Sequence, residues 1–426
     1  MKAKLVKDKR CLSIVNRKLY IILLFAAMLA GCAKDNEPEK TNGPGKSEAS
    51  FNATFTPQTV YFNESETSKD LVSISDDGTI LTFSNSSDKA KKLKKGDVIL
   101  IHGKVLRKAD KITQGNTIVV ETVDASLNEA IQEGTINWTT YCDFQPGMQM
   151  QAEIGGNIYY PSLRSDKEIS FNFKFGDFDY SIVMNLDKDS AQVKLEVSKK
   201  IAGGIKGKFT AEGKISSLYS ENKIEYEKAQ LKNYSNSNNN VSGELTLALT
   251  VAGSGSDALD LELPVILFAY PLMVGPIPTV IKIKLQVVIN SVVPLDGSAQ
   301  VSTKFKYDSQ TGISCDGVKT ETKGKIGNYS MDKQGTEVGA SSSIGVNYGI
   351  GFPRIEIGVF GNAIVPYIQT AFLIGGSYTS FPACRQIKAS FIGGCGVDFS
   401  FLGFKHKEKK NLWQQDKVLL QIGDCK

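Results

Sequence analysis

Leu245-Thr246-Leu247-Ala248-Leu249-Thr250-Val251 puts an apolar side chain at every second position. Successive side chains of an extended strand point to opposite faces, so this spelling describes a strand with one face buried and one solvated. A helix would need its apolar positions three or four residues apart. The alternation recurs upstream in Ile169, Phe171, Phe173 and Phe175, and in Val193, Leu195 and Val197. Downstream it returns in Val301, Thr303, Phe305 and Tyr307, and in Ile344, Val346, Tyr348 and Ile350. Clusters that read as turns lie between the runs: Asp76-Asp77-Gly78, Asn236 to Asn240, Asp308 to Gly312 and Gly375-Gly376. Ala125 to Gln132 is the one short helix expected.

The expected fold is therefore all-β. About 375 residues follow the amino-terminal stretch, more than one ordinary core. A boundary near residues 142 to 150 is expected, with a small β module over 55–142 and a large antiparallel β-sandwich or rolled-sheet domain over 143–426. The stretch Leu261 to Leu295 is unusually apolar, but Pro264, Pro271, Pro276, Pro278 and the alternating Lys282 and Lys284 deny it the continuity of a membrane span. It reads as a buried central strand pair joined by a proline turn. The alternative is the lining of a lipid or acyl pocket.

The amino terminus carries Lys2, Lys4, Lys7, Lys9, Arg10, Arg17 and Lys18 ahead of an apolar run from Leu19 to Ala30. A basic region followed by a short apolar one is the layout of a secretory signal. The run closes on Leu29-Ala30-Gly31-Cys32, which resembles the lipobox of bacterial lipoproteins. That resemblance implies a diacylglyceryl group on the Cys32 thiol, cleavage of residues 1–31, and acylation of the new amino terminus. Several acyl chains on one residue give durable anchoring, since each buried CH₂ contributes about 0.8 kcal/mol. Residues 32–54 are polar and read as a flexible tether. Acidic residues close behind Cys32 (Asp35, Glu37, Glu39) also resemble export signals of surface lipoproteins in the Bacteroidetes group.

Leu71 to Phe83, Leu93 to Leu100, Leu106-Arg107-Lys108, Ile118 to Thr122 and Ala125 to Ile131 together resemble a β-rich module of uncharacterised bacterial cell-surface proteins. In that module a strand pair around an acidic-Gly turn precedes a Gly-Asp-Val turn, a Leu-Arg-Lys strand and a short helix. The resemblance implies no functional residue. Its Gly and Asp positions are turn chemistry. Asp189-Ser190-Ala191 resembles an acceptor site for O-linked glycans in the same bacterial group.

The formal charge of +5 is a property of the targeting segment. Beyond residue 31 the chain holds 43 Lys/Arg against 44 Asp/Glu. Without a basic, aromatic-rich patch, no nucleic-acid partner is expected. The two histidines, His102 and His406, have no second ligand at metal spacing, and no Gly-x-Ser-x-Gly elbow occurs. Gly203-Gly204-Ile205-Lys206-Gly207-Lys208-Phe209 has the wrong spacing for a phosphate loop. No metal, cofactor or catalytic residue is implied.

Beyond Cys11 and Cys32, five cysteines remain, and export permits disulfides. Cys384 and Cys395 flank Arg385 to Gly394, which reads as a hairpin they would staple. Cys425 is a candidate for pinning the tail instead. Trp138, Tyr159, Tyr160 and Trp413 are candidate sugar platforms, although strand aromatics more often belong to the core.

These readings converge on an outer-membrane lipoprotein, surface-displayed rather than periplasmic. Its expected role is non-catalytic binding or structure, through adhesion or capture of a glycan or protein ligand. A lipid or hydrophobic-ligand carrier is the first alternative. The second is a glycan-acting hydrolase using a carboxylate pair, which alternation alone does not reveal.

Overall fold

The computed structural model describes residues 47–142, 152–154, 157–163, 165, 167–187, 190–200, 206–216, 218–253, 258–292, 297–338, 345–360, 363–380 and 383–425, with backbone alone for 142, 152–154, 157, 200, 206, 239–240, 251–253, 258–268, 288–292, 297–301, 335–338, 345–347, 363–365 and 377–380. Leu29, Ala30, Gly31, Cys32 and Asp189 lie outside these residues.

The chain opens with β1 (Glu48–Phe55), β2 (Thr59–Phe62), α1 (Glu64–Asp70), β3 (Leu71–Ile74), β4 (Ile80–Ser84) and α2 (Asp88–Lys91). There follow β5 (Val98–Ile101), β6 (Val105–Gln114), β7 (Thr117–Asp124), α3 (Leu127–Ala130) and β8 (Ile131–Cys142). Short strands come next: β9 (Ala152–Ile154), β10 (Asn157–Tyr159) and β11 (Ser162–Leu163). Longer ones succeed them: β12 (Glu168–Phe175), β13 (Phe178–Asp187), β14 (Ser190–Lys200), β15 (Lys206–Ser216) and β16 (Leu218–Glu227). The longest follow: β17 (Gln230–Gly253), β18 (Ala258–Val274), β19 (Ile277–Val292), β20 (Gly297–Cys315) and β21 (Thr320–Val338). Last are β22 (Gly345–Val359), β23 (Ala363–Ser380), β24 (Ala383–Asp398) and β25 (Lys407–Gly423).

These strands make an all-β protein. One sheet of eleven strands runs β1-β8-β16-β17-β15-β14-β13-β12-β11, with β20 added to β17 and β21 to β20. Its spine is β17, whose first half pairs with β16 and whose second half pairs with β15 on the same edge. A second, antiparallel sheet runs β18-β19-β22-β23-β24-β25. A third runs β2-β5-β6-β7-β4-β3, and its β2–β5 pair is parallel.

The two large sheets face each other, and the alternation in the sequence is the reason. Leu245, Leu247 and Leu249 all turn inward from β17, as Tyr348 and Ile350 do from β22. Aromatic rings interlock across the gap: Phe209 meets Tyr348 edge-on at 5.9 Å, while Phe372 stands 5.0 Å from Phe305 and 5.2 Å from Tyr307. Along one side the edge strands β21 and β25 meet. There Tyr329 Oη donates to Gln415 Oε1 at 2.9 Å and Lys417 Nζ to the Met331 carbonyl at 2.6 Å. The Trp413 ring lies against Gly324 and Gly393, where an added Cβ would stand 2.8 and 2.1 Å from it.

The expected division at residue 142 does not coincide with a sheet boundary. The small sheet ends with β7 at Asp124, whereas β8 inserts between β1 and β16 of the large one. Strand β5 is buried on both faces: Ile99 and Ile101 belong to the small core, Val98 and Leu100 to the main one. The expected helix Ala125 to Gln132 shortens to α3. Helix α1 was not anticipated, although Asn63 and Glu66 spell a capping box in which each side chain accepts the other's backbone N–H at 2.9 Å.

Three of the expected turns are strand interior. Asn236 to Asn240 lie within β17, Asp308 to Gly312 within β20, and Gly375-Gly376 within β23. On β17 the inward Asn236 and Asn238 are buried, and they bond neighbours on their own face instead of capping a turn. Asn236 Nδ2 donates to Asn222 Oδ1 at 2.8 Å, and Asn238 Nδ2 to Asn236 Oδ1 at 2.7 Å. Asp76-Asp77-Gly78 is a turn: the Asp77 carboxylate accepts from Ser75 and Thr79, and these bonds hold its pKa down to about 2.

The real hairpins are tight. Glu227 faces Gln230 across Lys228 and Ala229, which take φ of 53° and 58°. That is the left-handed region, where a side chain costs about 1–2 kcal/mol. Replacing Lys228-Ala229 by Asn-Gly is therefore expected to raise stability by about 1 kcal/mol, read as a higher urea midpoint at unchanged slope. The apolar segment also forms the expected hairpin, β18 to β19 through Gly275-Pro276. However, β18 is an edge strand, not a central one. An edge tolerates Pro264 and Pro271 because alternate N–H groups there have no strand partner.

Candidate functional site

On the outer face of the six-stranded sheet, register aligns two transverse rows of side chains. The first runs Lys284, Arg354, Gln369, Gly394 and Asn411 across β19, β22, β23, β24 and β25. The second runs Lys282, Glu356, Tyr367, Gly396 and Lys409 across the same strands. Both rows have glycine on β24, so the sheet carries a trough there. Its walls are side chains of β23 and β25, two strand spacings apart, about 10 Å.

One end of the trough is closed and the other open. A Cβ at Gly396 would stand 2.1 Å from the Tyr367 ring, which shows that this ring leans across the glycine. A Cβ at Gly394 would meet only the Lys410 carbonyl at 3.6 Å and Asn411 Oδ1 at 3.8 Å. The opening over Gly394 has a volume of about 290 Å³ and is bounded by Tyr367, Gln369, Ala371, Ile392, Lys409 and Asn411. That is near the lower end of the range for small-molecule sites, about 300 Å³.

Behind the β23 wall stands a relay of charged and amide groups. The Glu356 carboxylate is 1% exposed and lies 2.7 Å from both Lys284 Nζ and Arg354 Nε. Two cations compensate the desolvation that such burial imposes on a carboxylate. Arg354 Nη1 donates to Gln369 Oε1 at 3.2 Å, and Gln369 Nε2 donates on to Gln286 Oε1 at 3.1 Å. The Arg354 guanidinium also lies 4.0 Å above the Tyr367 ring. Burial, ahead of all other causes, pushes the Tyr367 phenol above its ordinary pKa. Orientation of the β23 wall is thus fixed before any ligand arrives. Replacing Glu356 by Ala leaves two partly solvated cations unmatched and is expected to lower stability by about 2–3 kcal/mol in thermal or denaturant unfolding.

The opposite wall is uncommitted. Among the described residues, no hydrogen bond or ion pair engages its Lys409 ammonium or Asn411 amide, nor the hydroxyl of Tyr367 across from them on β23. The signal in sequence was Gly393-Gly394-Cys395-Gly396, whose meaning depends on the strands that register beside it.

Other residues singled out in the sequence stand elsewhere. His102 Nδ1 is 2.8 Å from Tyr61 Oη in the small module, while His406 Nε2 is 3.1 Å from Glu408 Oε2. Among the described residues, no three His, Cys, Asp or Glu side chains gather to hold a metal. Trp138 is buried, Trp413 is packed between glycines, and Tyr159 stacks on Phe173 at 4.7 Å, so three of the four expected platforms serve the core. Tyr160 is exposed.

The expected Cys384–Cys395 staple is replaced by a different bond. Both residues lie on the single strand β24, so no hairpin exists between them. Cys384 instead bonds Cys425 at a Cα separation of 5.0 Å, tying the chain's tail to β24. Cys315 and Cys395 are buried free thiols, and burial pushes Cys395 up to about 11.

The chain matches no family model, and no curated protein or solved structure matches it either.

Proposed function

We propose that this chain is a cell-envelope lipoprotein, anchored through Cys32, that captures a ligand without chemically altering it. The trough carries the reading: a preorganised wall of Tyr367 and Gln369 faces the uncommitted Lys409 and Asn411 across a glycine floor. Rigid, already oriented polar groups favour binding because little ordering remains to be done on association. The Cys384–Cys425 bond is in keeping with an exported protein, since such bonds persist in oxidising compartments. Surface display on the outer membrane is part of the proposal and rests on the acidic residues behind Cys32.

Two features weigh against the alternatives. Among the described residues of the two rows, Glu356 is the sole carboxylate, and its oxygens already face Lys284 and Arg354. A glycan hydrolase needs two carboxylates flanking one bond. A void between the large sheets, lined by Val193, Leu195, Leu285 and Phe372 among others, holds about 10 Å³, room for about one water at most. Carriage would instead use the segment 261–295, where the side chains of 261–268 and 288–295 lie outside the described residues.

The test is to incubate the purified mature chain with a polysaccharide panel and assay both retention and new reducing ends. Retention without new ends is expected. Reducing ends that vanish on changing a single Asp or Glu would put hydrolysis in its place.

A further inference from the structure

We propose that the trough over Gly394 takes the acidic residue of a carbohydrate, with Lys409 meeting its carboxylate or sulfate and Asn411 and Tyr367 meeting its hydroxyls. This rests on the capture reading above and names the ligand class.

Charge is the first argument. Leaving Lys282 aside, the two rows hold Lys284, Arg354 and Lys409 against the single carboxylate of Glu356. Nearby acids on β24 and β25 are engaged elsewhere: Asp398 pairs with Lys407 and Asp416 with Lys388, while Glu408, which alternates to the other face of β25 from Lys409, lies 3.1 Å from His406 Nε2. Lys409 is exposed at the rim with no such partner among the described residues. A site with surplus positive charge and an unmatched ammonium selects an anion.

The neutral groups narrow the anion to a hydroxylated one. A primary amide and a phenol each both donate and accept, as a sugar hydroxyl does. Tyr367 offers no ring face to a nucleobase, because Arg354 covers one side and Gly396 lies beneath the other. Single-stranded nucleic acid, which depends on such stacking, is thereby disfavoured. The opening suits a ring-sized ligand. Because the sheet continues beyond Ile392 and Asn411, neighbouring sugars of a longer chain have a surface on which to lie.

The test compares polygalacturonate, hyaluronan and heparin, each with its carboxyl-reduced or desulfated counterpart, by titration calorimetry on the mature chain. At least one acidic polymer is expected to bind ten or more times tighter than its neutral counterpart. Lys409→Gln, a change at an exposed residue, should remove that preference, and Gly394→Leu should abolish binding by filling the floor. Circular dichroism and melting of both variants verify that they fold. If acidic and neutral polymers bind equally and Gly394→Leu still abolishes both, the acidic class is overturned while capture at the trough stands. An acid preference untouched by Lys409→Gln and Gly394→Leu overturns the assignment to the trough. Binding of no polymer in either form overturns this ligand class, and failure across a wider neutral and protein panel sinks the capture reading itself.

Discussion

Replacing Phe372 by Ala is expected to lower the unfolding free energy by about 3–5 kcal/mol, the range for removing a large buried aromatic ring. Phe372 is 1% exposed and sits where the two large sheets meet. Its centroid lies 5.0 Å from Phe305, 5.2 Å from Tyr307 and 5.1 Å from Phe391, so one truncation strips contacts from both sheets at once. Strands on either side are held by ladders of backbone bonds and have little freedom to collapse into the gap. A Leu substitution restores part of the volume and should recover roughly half of the loss. Urea unfolding of both variants checks this. Equal, small losses would mean that the sheets do not pack face to face through this ring.

Replacing Cys384 and Cys425 together by Ser is expected to cost about 4 kcal/mol, from the loop-closure entropy that a bond spanning 41 residues removes from the unfolded chain. The loop encloses most of β24 and all of β25, so the loss should appear first as fraying of the carboxy-terminal edge strand. Hydrogen exchange of residues 407–423 reads that directly. Digestion without reductant should yield a peptide pair joining Cys384 to Cys425. Cys395, buried and with its thiol pushed up to about 11, should resist alkylation until the protein unfolds. Finding Cys384 joined to Cys395 would contradict the placement of both residues on one strand.

Strand character was legible in the sequence because alternation is a local property. Leu245 to Val251, Ile169 to Phe175 and Val193 to Val197 each declare their buried face without reference to a partner. Strand length was not legible in the same way. Asn, Asp and Gly ordinarily mark turns, and Asn236 to Asn240 read as one. Burial of Asn236 and Asn238 beside Ser220 and Asn222 makes these two part of a polar ladder inside a 24-residue strand. Conversely, the hairpin at Lys228-Ala229 carries no turn residue, and only the antiparallel register of β16 and β17 imposes it.

The candidate site was harder still to foresee. Glu356, Tyr367, Gly394 and Lys409 lie on four different strands, and alternation fixes only which face each occupies. That they stand in two straight rows follows from cross-strand register, including the bulges between Gly351 and Arg354 and between Gly393 and Gly394. A slip of one residue on any strand would send its member of the row to the opposite face. The sequence left both Cys395 and Cys425 open as bonding candidates for the same reason: Cys384 and Cys395 are close in sequence, but Cys425, the tail-pinning alternative, is the one that the β24–β25 ladder brings alongside Cys384.

Protease shaving of intact cells, followed by immunoblotting of the mature chain with a lysed-cell control, tests the central claim most directly. A tethered, surface-displayed capture protein predicts that the signal is lost from intact cells and that Cys32→Ser releases the chain from the membrane fraction. Protection until lysis would contradict surface display and leave the trough facing the periplasm.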